Sequence, residues 1–155
     1  MAKLNHNWPR FWIPLGKSIL LDHGFLRDPE NNDAIYYYTD YQPRLLHQLV
    51  EMPVAILLGE PGIGKSTALK DESQRLKIEI EAYLYKELNQ YHSGNQLIGD
   101  IFESIEVQEW RQGNHHLTLL LDSLDECNLT IRNVVRILAS QLKDLQTSRL
   151  SLRLT

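Results

Sequence analysis

The stretch "VAILLGEPGIGKST", residues 54–67, constrains the fold more than any other part of the chain. Its apolar run VAILL is bounded by Pro53 and Gly59, which predicts a fully buried parallel strand. The segment that follows meets the spacing G-x-x-x-x-G-K-[ST], with Gly59, Gly64, Lys65 and Ser66 at the fixed positions. A helix is predicted from about Lys65 to Lys77. A strand, a glycine loop and a helix in that order make a cradle for phosphate. The glycines let the backbone curl so that N–H groups point inward at phosphate oxygens. The helix start contributes further unpaired N–H donors and the positive end of a dipole. The cradle comprises Gly59, Glu60, Pro61, Gly62, Ile63, Gly64, Lys65, Ser66 and Thr67. Lys65 would reach the β- and γ-phosphates, Ser66 would give its hydroxyl to magnesium, and Thr67 would lie by the α-phosphate. A purely structural glycine turn is the competing reading, and the strand–loop–helix context disfavours it. A second Gly-Lys-Ser, in "LGKS" at 15–18, has Phe11 where the first glycine belongs and no buried strand before it, and is set aside.

A phosphate cradle needs a carboxylate on the metal side. "HLTLLLD", residues 116–122, reads as a buried strand ending in Asp122. The C-terminal edge of a parallel strand is where open α/β sheets bind ligands. Asp122 is therefore expected to hold magnesium opposite Ser66, directly or through water. Two more acids follow in "DSLDEC". Hydrolysis of a nucleoside triphosphate needs a group that orients or deprotonates the attacking water, and Asp125 or Glu126 is placed to supply it. Ser123 leaves room beside the γ-phosphate where a bulkier side chain would crowd it.

The remaining chain alternates strands with helices, which predicts an α/β fold with a parallel sheet and helices on both faces. Residues 1–44 form an irregular, aromatic-rich segment in which Trp8, Phe11 and Trp12 make a packing strap, and 45–155 form the nucleotide-binding part. Within them, "IYYYTDY" (35–41) is a possible short strand, and Pro43 opens a helix with Leu45, Leu46, Leu49 and Val50 on one face. "IEIEAYLY" (78–85) alternates as a second strand. Ser93 caps a helix whose apolar face is Leu97, Ile98, Ile101, Phe102 and Ile105. Thr130 opens an amphipathic helix with Ile131, Val134, Val135, Leu138, Leu142 and Leu145 on one side. "RLSLRLT" (149–155) alternates as a fourth strand. Arg132, Arg136, Arg149 and Arg153 are expected to be surface or strand-edge charges, and His115 and His116 a solvated loop.

The run Asp122-Ser123-Leu124-Asp125-Glu126 resembles the acidic motif D-[GAS]-h-D-E (h an apolar residue) of NACHT-type STAND P-loop NTPases, and with "GEPGIGKST" the resemblance spans roughly residues 45–155. It implies a three-layer P-loop NTPase sheet and ATP-dependent switching in multidomain signalling or defence proteins. ATP and magnesium are the implied cofactors. Adenine rests on that resemblance and on the absence of N-K-x-D; "QLKD" (141–144) lacks the asparagine–lysine pair. By the same resemblance, a sensor arginine, a fifth strand, a helical lid, a winged helix, sensor repeats and an effector would accompany this part, with oligomerisation on activation. The chain reads as truncated after the fourth strand, which would leave VAILL as an open apolar edge. Without the sensor arginine, turnover is expected to be slow or absent.

Net charge is −4 with no run of about five or more like charges, which gives no direct sign of nucleic-acid binding. No stretch reaches the roughly 18 apolar residues of a membrane helix, and the N-terminus lacks a signal peptide's apolar core. The single Cys127 fits a reducing compartment, so the cytoplasm is expected. Two other readings compete with the switch: a P-loop ATPase that loads onto nucleic acid, and a truncated remnant that binds no nucleotide.

Overall fold

In the computed structural model, which describes residues 10–17, 43–127, 129–143, 145 and 147–155, every strand runs parallel to its neighbours. The chain divides into two compact units, Met1–Leu49 and Val50–Thr155. The first contains an antiparallel bridge in which Trp12 and Arg44 exchange N–H···O bonds of 2.8 and 2.9 Å. The helix expected after Pro43 is reduced to one 3-10 turn, Leu46–Leu49, where the Gln48 side chain accepts from the Leu45 N–H. The discarded "LGKS" lies partly in a tight turn, with Gly16 left-handed (φ 81°) and Leu15 exposed. The strand read in residues 35–41, Trp8 and Ser18 lie outside the described residues.

The second unit is an α/β sandwich. In chain order its elements are β1 (Val54–Ile56), α1 (Lys65–Ile78), β2 (Ala82–Glu87), α2 (Gly94–Phe102), α3 (Ile105–Gln112), β3 (Leu117–Asp122), α4 (Ile131–Lys143) and β4 (Leu150–Leu154). The strand order is β1-β4-β3-β2. Helices between successive strands keep the sheet parallel, since parallel neighbours cannot be joined by a tight turn. Side chains alternate between the sheet's two faces. Leu84, the β3 leucines at 117, 119 and 121, and the β4 leucines at 150, 152 and 154 form one core with Leu97, Ile101 and Phe102 of α2 and Trp110 of α3. Val134 and Leu138 of α4 complete it. The opposite face carries α1 and is polar towards its C-terminal edge, which is where the site lies.

Several elements depart from the expected pattern. The run VAILL is not fully buried: Ala55 and Leu57 are, but Val54, Ile56 and Leu58 are 53%, 57% and 60% exposed. β1 pairs with β4 alone among the described strands, and no described strand pairs with its other edge. The strand predicted over 78–85 starts at Ala82 instead, because α1 runs through Ile78 and Ile80 turns the chain with a left-handed φ of 58°. Ile78 and Ile80 are then almost wholly exposed. The helix expected to carry Ile105 breaks at Ser104, leaving Ile105 exposed at the start of α3, while Val135 of α4 is also half out of the core.

β4 does not alternate between core and solvent. All five residues are buried, including Arg153, because both faces of this interior strand are covered. The Arg153 guanidinium donates to the carbonyls of Met52 (2.9 Å) and Leu152 (3.0 Å). Arg149 is no free edge charge either: it lies over the Trp110 ring and donates to the Gly113 carbonyl at 2.7 Å. Arg132 and Arg136 are exposed, as expected for helix surface charges.

Ser104 caps α3. Its hydroxyl accepts from the Val107 N–H and donates to the Ile101 carbonyl, joining two helices at one side chain. Ser104→Ala is expected to cost about 1 kcal/mol, the usual value of an N-cap, seen as a lower urea midpoint with an unchanged slope. An unchanged midpoint would mean that packing of Trp110 and Phe102 alone fixes the break.

Candidate functional site

The loop between β1 and α1 curls because two glycines take left-handed backbone, Gly62 at φ 82° and Gly64 at φ 96°. A side chain at either position would be strained. Gly64 is the residue before α1, and no side chain caps that helix start. The N–H groups of the first turn are thus left without a side-chain partner, and a helix N-terminus so arranged suits an anion. Lys65 folds back over the loop. Its ammonium donates to the carbonyl of Gly59 at 2.9 Å and, more weakly, to that of Glu60 at 3.4 Å.

Asp122 ends β3 at the neighbouring strand edge and is only 1% exposed. A carboxylate buried that deeply must find hydrogen-bond donors in place of water. Three hydroxyls supply them. Ser66 donates to Asp122 Oδ1 at 2.9 Å, Thr155 donates to the same oxygen, and Tyr85 donates to Oδ2 at 2.9 Å. Thr155 is fixed in turn: its N–H bonds the Leu121 carbonyl at 3.0 Å, and its Oγ1 accepts from the Ser123 N–H at 3.0 Å. Ser123 holds a left-handed φ of 61°, and the next residue, Leu124, donates its N–H to the Thr155 carbonyl at 2.7 Å. This turn carries the acidic loop away from the strand and over the glycine loop. A small residue suits position 123 for backbone reasons as well as for space, because a β-branched side chain is an outlier there.

Between the two loops lies a cleft of about 220 Å³. Pro61, Gly62, Gly64, Lys65, Ser66 and Thr67 line one side; Ser123, Asp125, Glu126 and Thr155 line the other. Gly59 and Glu60 turn their carbonyls to Lys65, and the Ile63 side chain, 59% exposed, folds towards Gly59. Asp122 lies beneath the cleft behind Ser66. Asp125 and Glu126 are both exposed to it, and Glu126 also takes a long bond of 3.5 Å from the Asn89 amide. Cys127 packs against the core and donates its S–H to the Leu88 carbonyl, while His116 pairs with the Ser151 hydroxyl at 2.8 Å.

Among the described residues, no group of three or more His, Cys, Asp or Glu side chains is placed to hold a metal ion. The Ser66–Asp122 pair offers one hydroxyl and one carboxylate. That set fits magnesium, which keeps several waters and takes phosphate oxygens as its other ligands, and does not fit zinc.

Sequence reasoning missed Tyr85, Thr155, Glu87 and Lys70. Tyr85 and Glu87 belong to a strand that starts and ends later than the alternation over 78–85 suggests, and Glu87 lies opposite Asp122 in the β2–β3 register. Glu87 pairs with Lys70 of α1 at 3.0 Å, which holds its carboxyl below the usual range. The Tyr85 phenol is pushed up by burial and then by the Asp122 and Glu87 carboxylates beside it. Burial, with help from Asp100, likewise pushes Tyr91 up to about 12. In the unfolded chain both phenols ionise near 10. The unfolded state therefore releases these protons first. The stability they contribute is fully present below pH 10 and lost as pH rises through the folded values. The melting midpoint is expected to fall between pH 10 and 12, less steeply in Tyr91→Phe; an identical slope in that variant would contradict the assignment.

No family model matches this chain, and no curated protein or solved structure matches it either.

Proposed function

We propose that this chain binds magnesium-bound nucleotide, with ATP named by family resemblance, as the P-loop core of a NACHT-type STAND signalling or defence switch. One observation carries the reading. The hydroxyl of Ser66, at the first turn after the glycine loop, meets the carboxylate of Asp122, at the end of a strand 56 residues further on, at 2.9 Å. Two motifs read separately in the sequence thus converge on one point, beside a cleft lined by the loop and by the acidic turn. The all-parallel sheet, with the loop at the C-terminal end of β1, is compatible with a P-loop fold.

On this reading the Lys65 ammonium leaves the Gly59 and Glu60 carbonyls for the β- and γ-phosphates, and the first-turn N–H groups of α1 receive phosphate oxygens. Ser66 and Asp122 would hold magnesium, which neutralises phosphate charge when bound. Asp125 or Glu126 would orient the attacking water. No arginine is among the described residues that line the cleft, and slow turnover is part of the proposal, because transition-state charge calls for a guanidinium partner. The lid, winged helix, sensor repeats and effector of the family, and assembly on activation, belong to the same proposal.

The test is a thermal melt with Mg-ATP, Mg-GTP and magnesium alone. A midpoint raised by Mg-ATP more than by Mg-GTP, and unmoved by magnesium alone, supports the reading. A cooperative melt that no nucleotide moves refutes it and favours the remnant. Hydrolysis stimulated by added DNA would favour a nucleic-acid loader.

A further inference from the structure

We infer that Tyr85 is a positioning residue for the metal site: its hydroxyl holds Asp122 Oδ2 and so keeps Oδ1 turned towards Ser66. The inference rests on the P-loop reading above and adds to it a residue that neither sequence motif contains.

The β2–β3 register sets Tyr85 opposite Leu120 and Glu87 opposite Asp122. Tyr85 and Asp122 share a sheet face, two positions apart diagonally, a span an aromatic side chain can bridge. The phenol reaches Asp122 Oδ2 at 2.9 Å and has a second acceptor, Glu87 Oε1, at 3.3 Å. The two carboxylate oxygens of Asp122 are thus held from different elements. Oδ1 takes Ser66 from α1 and Thr155 from the end of β4; Oδ2 takes Tyr85 from β2.

These donors would differ in what a bound magnesium asks of them. Ser66 would give a hydroxyl lone pair to the ion while its O–H stays directed at Asp122. Thr155 and Tyr85 would bind no ion and would act only on the carboxylate. Of these two, only Tyr85 holds the oxygen remote from Ser66, so it fixes the rotation of the carboxylate at the moment its other oxygen is needed. Glu87, anchored by Lys70 at 3.0 Å, gives the phenol a near neighbour on its far side. Partners that orient metal ligands in this way are worth roughly 10- to 100-fold in metal affinity.

The experiment uses the whole chain and a fluorescent ATP analogue, titrating magnesium at fixed nucleotide and, separately, titrating nucleotide in EDTA. Tyr85→Phe keeps the ring and removes one hydroxyl; Tyr83→Phe on the same strand is the control. Tyr85→Phe is expected to raise the half-saturating magnesium concentration roughly tenfold, the lower end of that range, while nucleotide affinity in EDTA stays within about twofold. Tyr83→Phe is expected to match the unaltered chain. Equal half-saturation in Tyr85→Phe and the unaltered chain overturns the inference while leaving the P-loop reading standing. Loss of affinity in EDTA as well as in magnesium overturns it too, because the hydroxyl would then shape the whole cleft. A Tyr85→Phe chain that no longer melts cooperatively also overturns it, making the hydroxyl a requirement of folding. If the unaltered chain binds no nucleotide, the P-loop reading fails and takes the inference with it.

Discussion

Lys65→Ala is expected to abolish most nucleotide binding while leaving the fold almost untouched. Among the described residues the ammonium bonds the backbone carbonyls of its own loop, in an exposed setting, so its removal should change stability by no more than about 0.5 kcal/mol. On phosphate the same ammonium would make charge-assisted bonds, each worth about 1.5–3 kcal/mol, or roughly 10- to 100-fold in affinity. A ligand present at a hundred times its Kd stabilises the folded chain by about 2.7 kcal/mol, which for a protein of this size raises the melting midpoint by about 5–10 °C. After a hundredfold loss of affinity the same concentration gives only about 0.4 kcal/mol, and a shift of about 1–2 °C. The contrast between an unchanged melt without ligand and a collapsed shift with it is the expected result. An equal shift in both chains would place nucleotide somewhere other than the glycine loop.

Asp122 should behave in the opposite way, with metal binding and stability falling together. Asp122→Asn keeps the shape but removes the charge. The magnesium-dependent part of nucleotide binding is then expected to disappear, while binding in EDTA is retained. Asp122→Ala goes further and leaves the hydroxyls of Ser66, Thr155 and Tyr85 without their shared acceptor. Unsatisfied buried groups cost about 1–3 kcal/mol each, and with partial rearrangement a total of about 3 kcal/mol is expected. Urea unfolding of both variants, with magnesium titrations beside it, checks the pair. Magnesium dependence that survives Asp122→Asn would assign the ion to Asp125 or Glu126 instead.

The structure also explains which parts of the fold could be read from local sequence. The glycine loop, α1 and the buried β3 run are local patterns, and each lies where the residues indicate. Ser93 and Thr130 mark helix starts because capping acts within a few residues: Ser93 accepts from the Gln96 N–H, and the Thr130 carbonyl accepts from the Val134 N–H. The failures come from information that is not local. "IEIE" alternates as a half-buried strand does, but α1 overruns its start and Ile80 turns, so the alternation carries no burial. "RLSLRL" alternates too, and only the strand order shows that both faces of β4 are covered and Arg153 is internal.

The candidate site divides along the same line. Lys65, Ser66 and Asp122 come from short motifs with fixed spacing. Tyr85 and Thr155 reach Asp122 only through the register of β2, β3 and β4, which no single segment encodes. Space beside the cleft favours a small residue at Ser123, and its left-handed φ adds a second reason for one. None of the described residues lining the cleft singles out adenine, which rests on resemblance to the family alone.

The most direct test of the Ser66–Asp122 site is equilibrium dialysis of the folded chain against labelled ATP, with magnesium and with EDTA. Saturable binding of about one ATP per chain is expected, tighter with magnesium, with that magnesium-dependent gain lost in Asp122→Asn. A chain that melts cooperatively yet binds no ATP at millimolar concentration would contradict it.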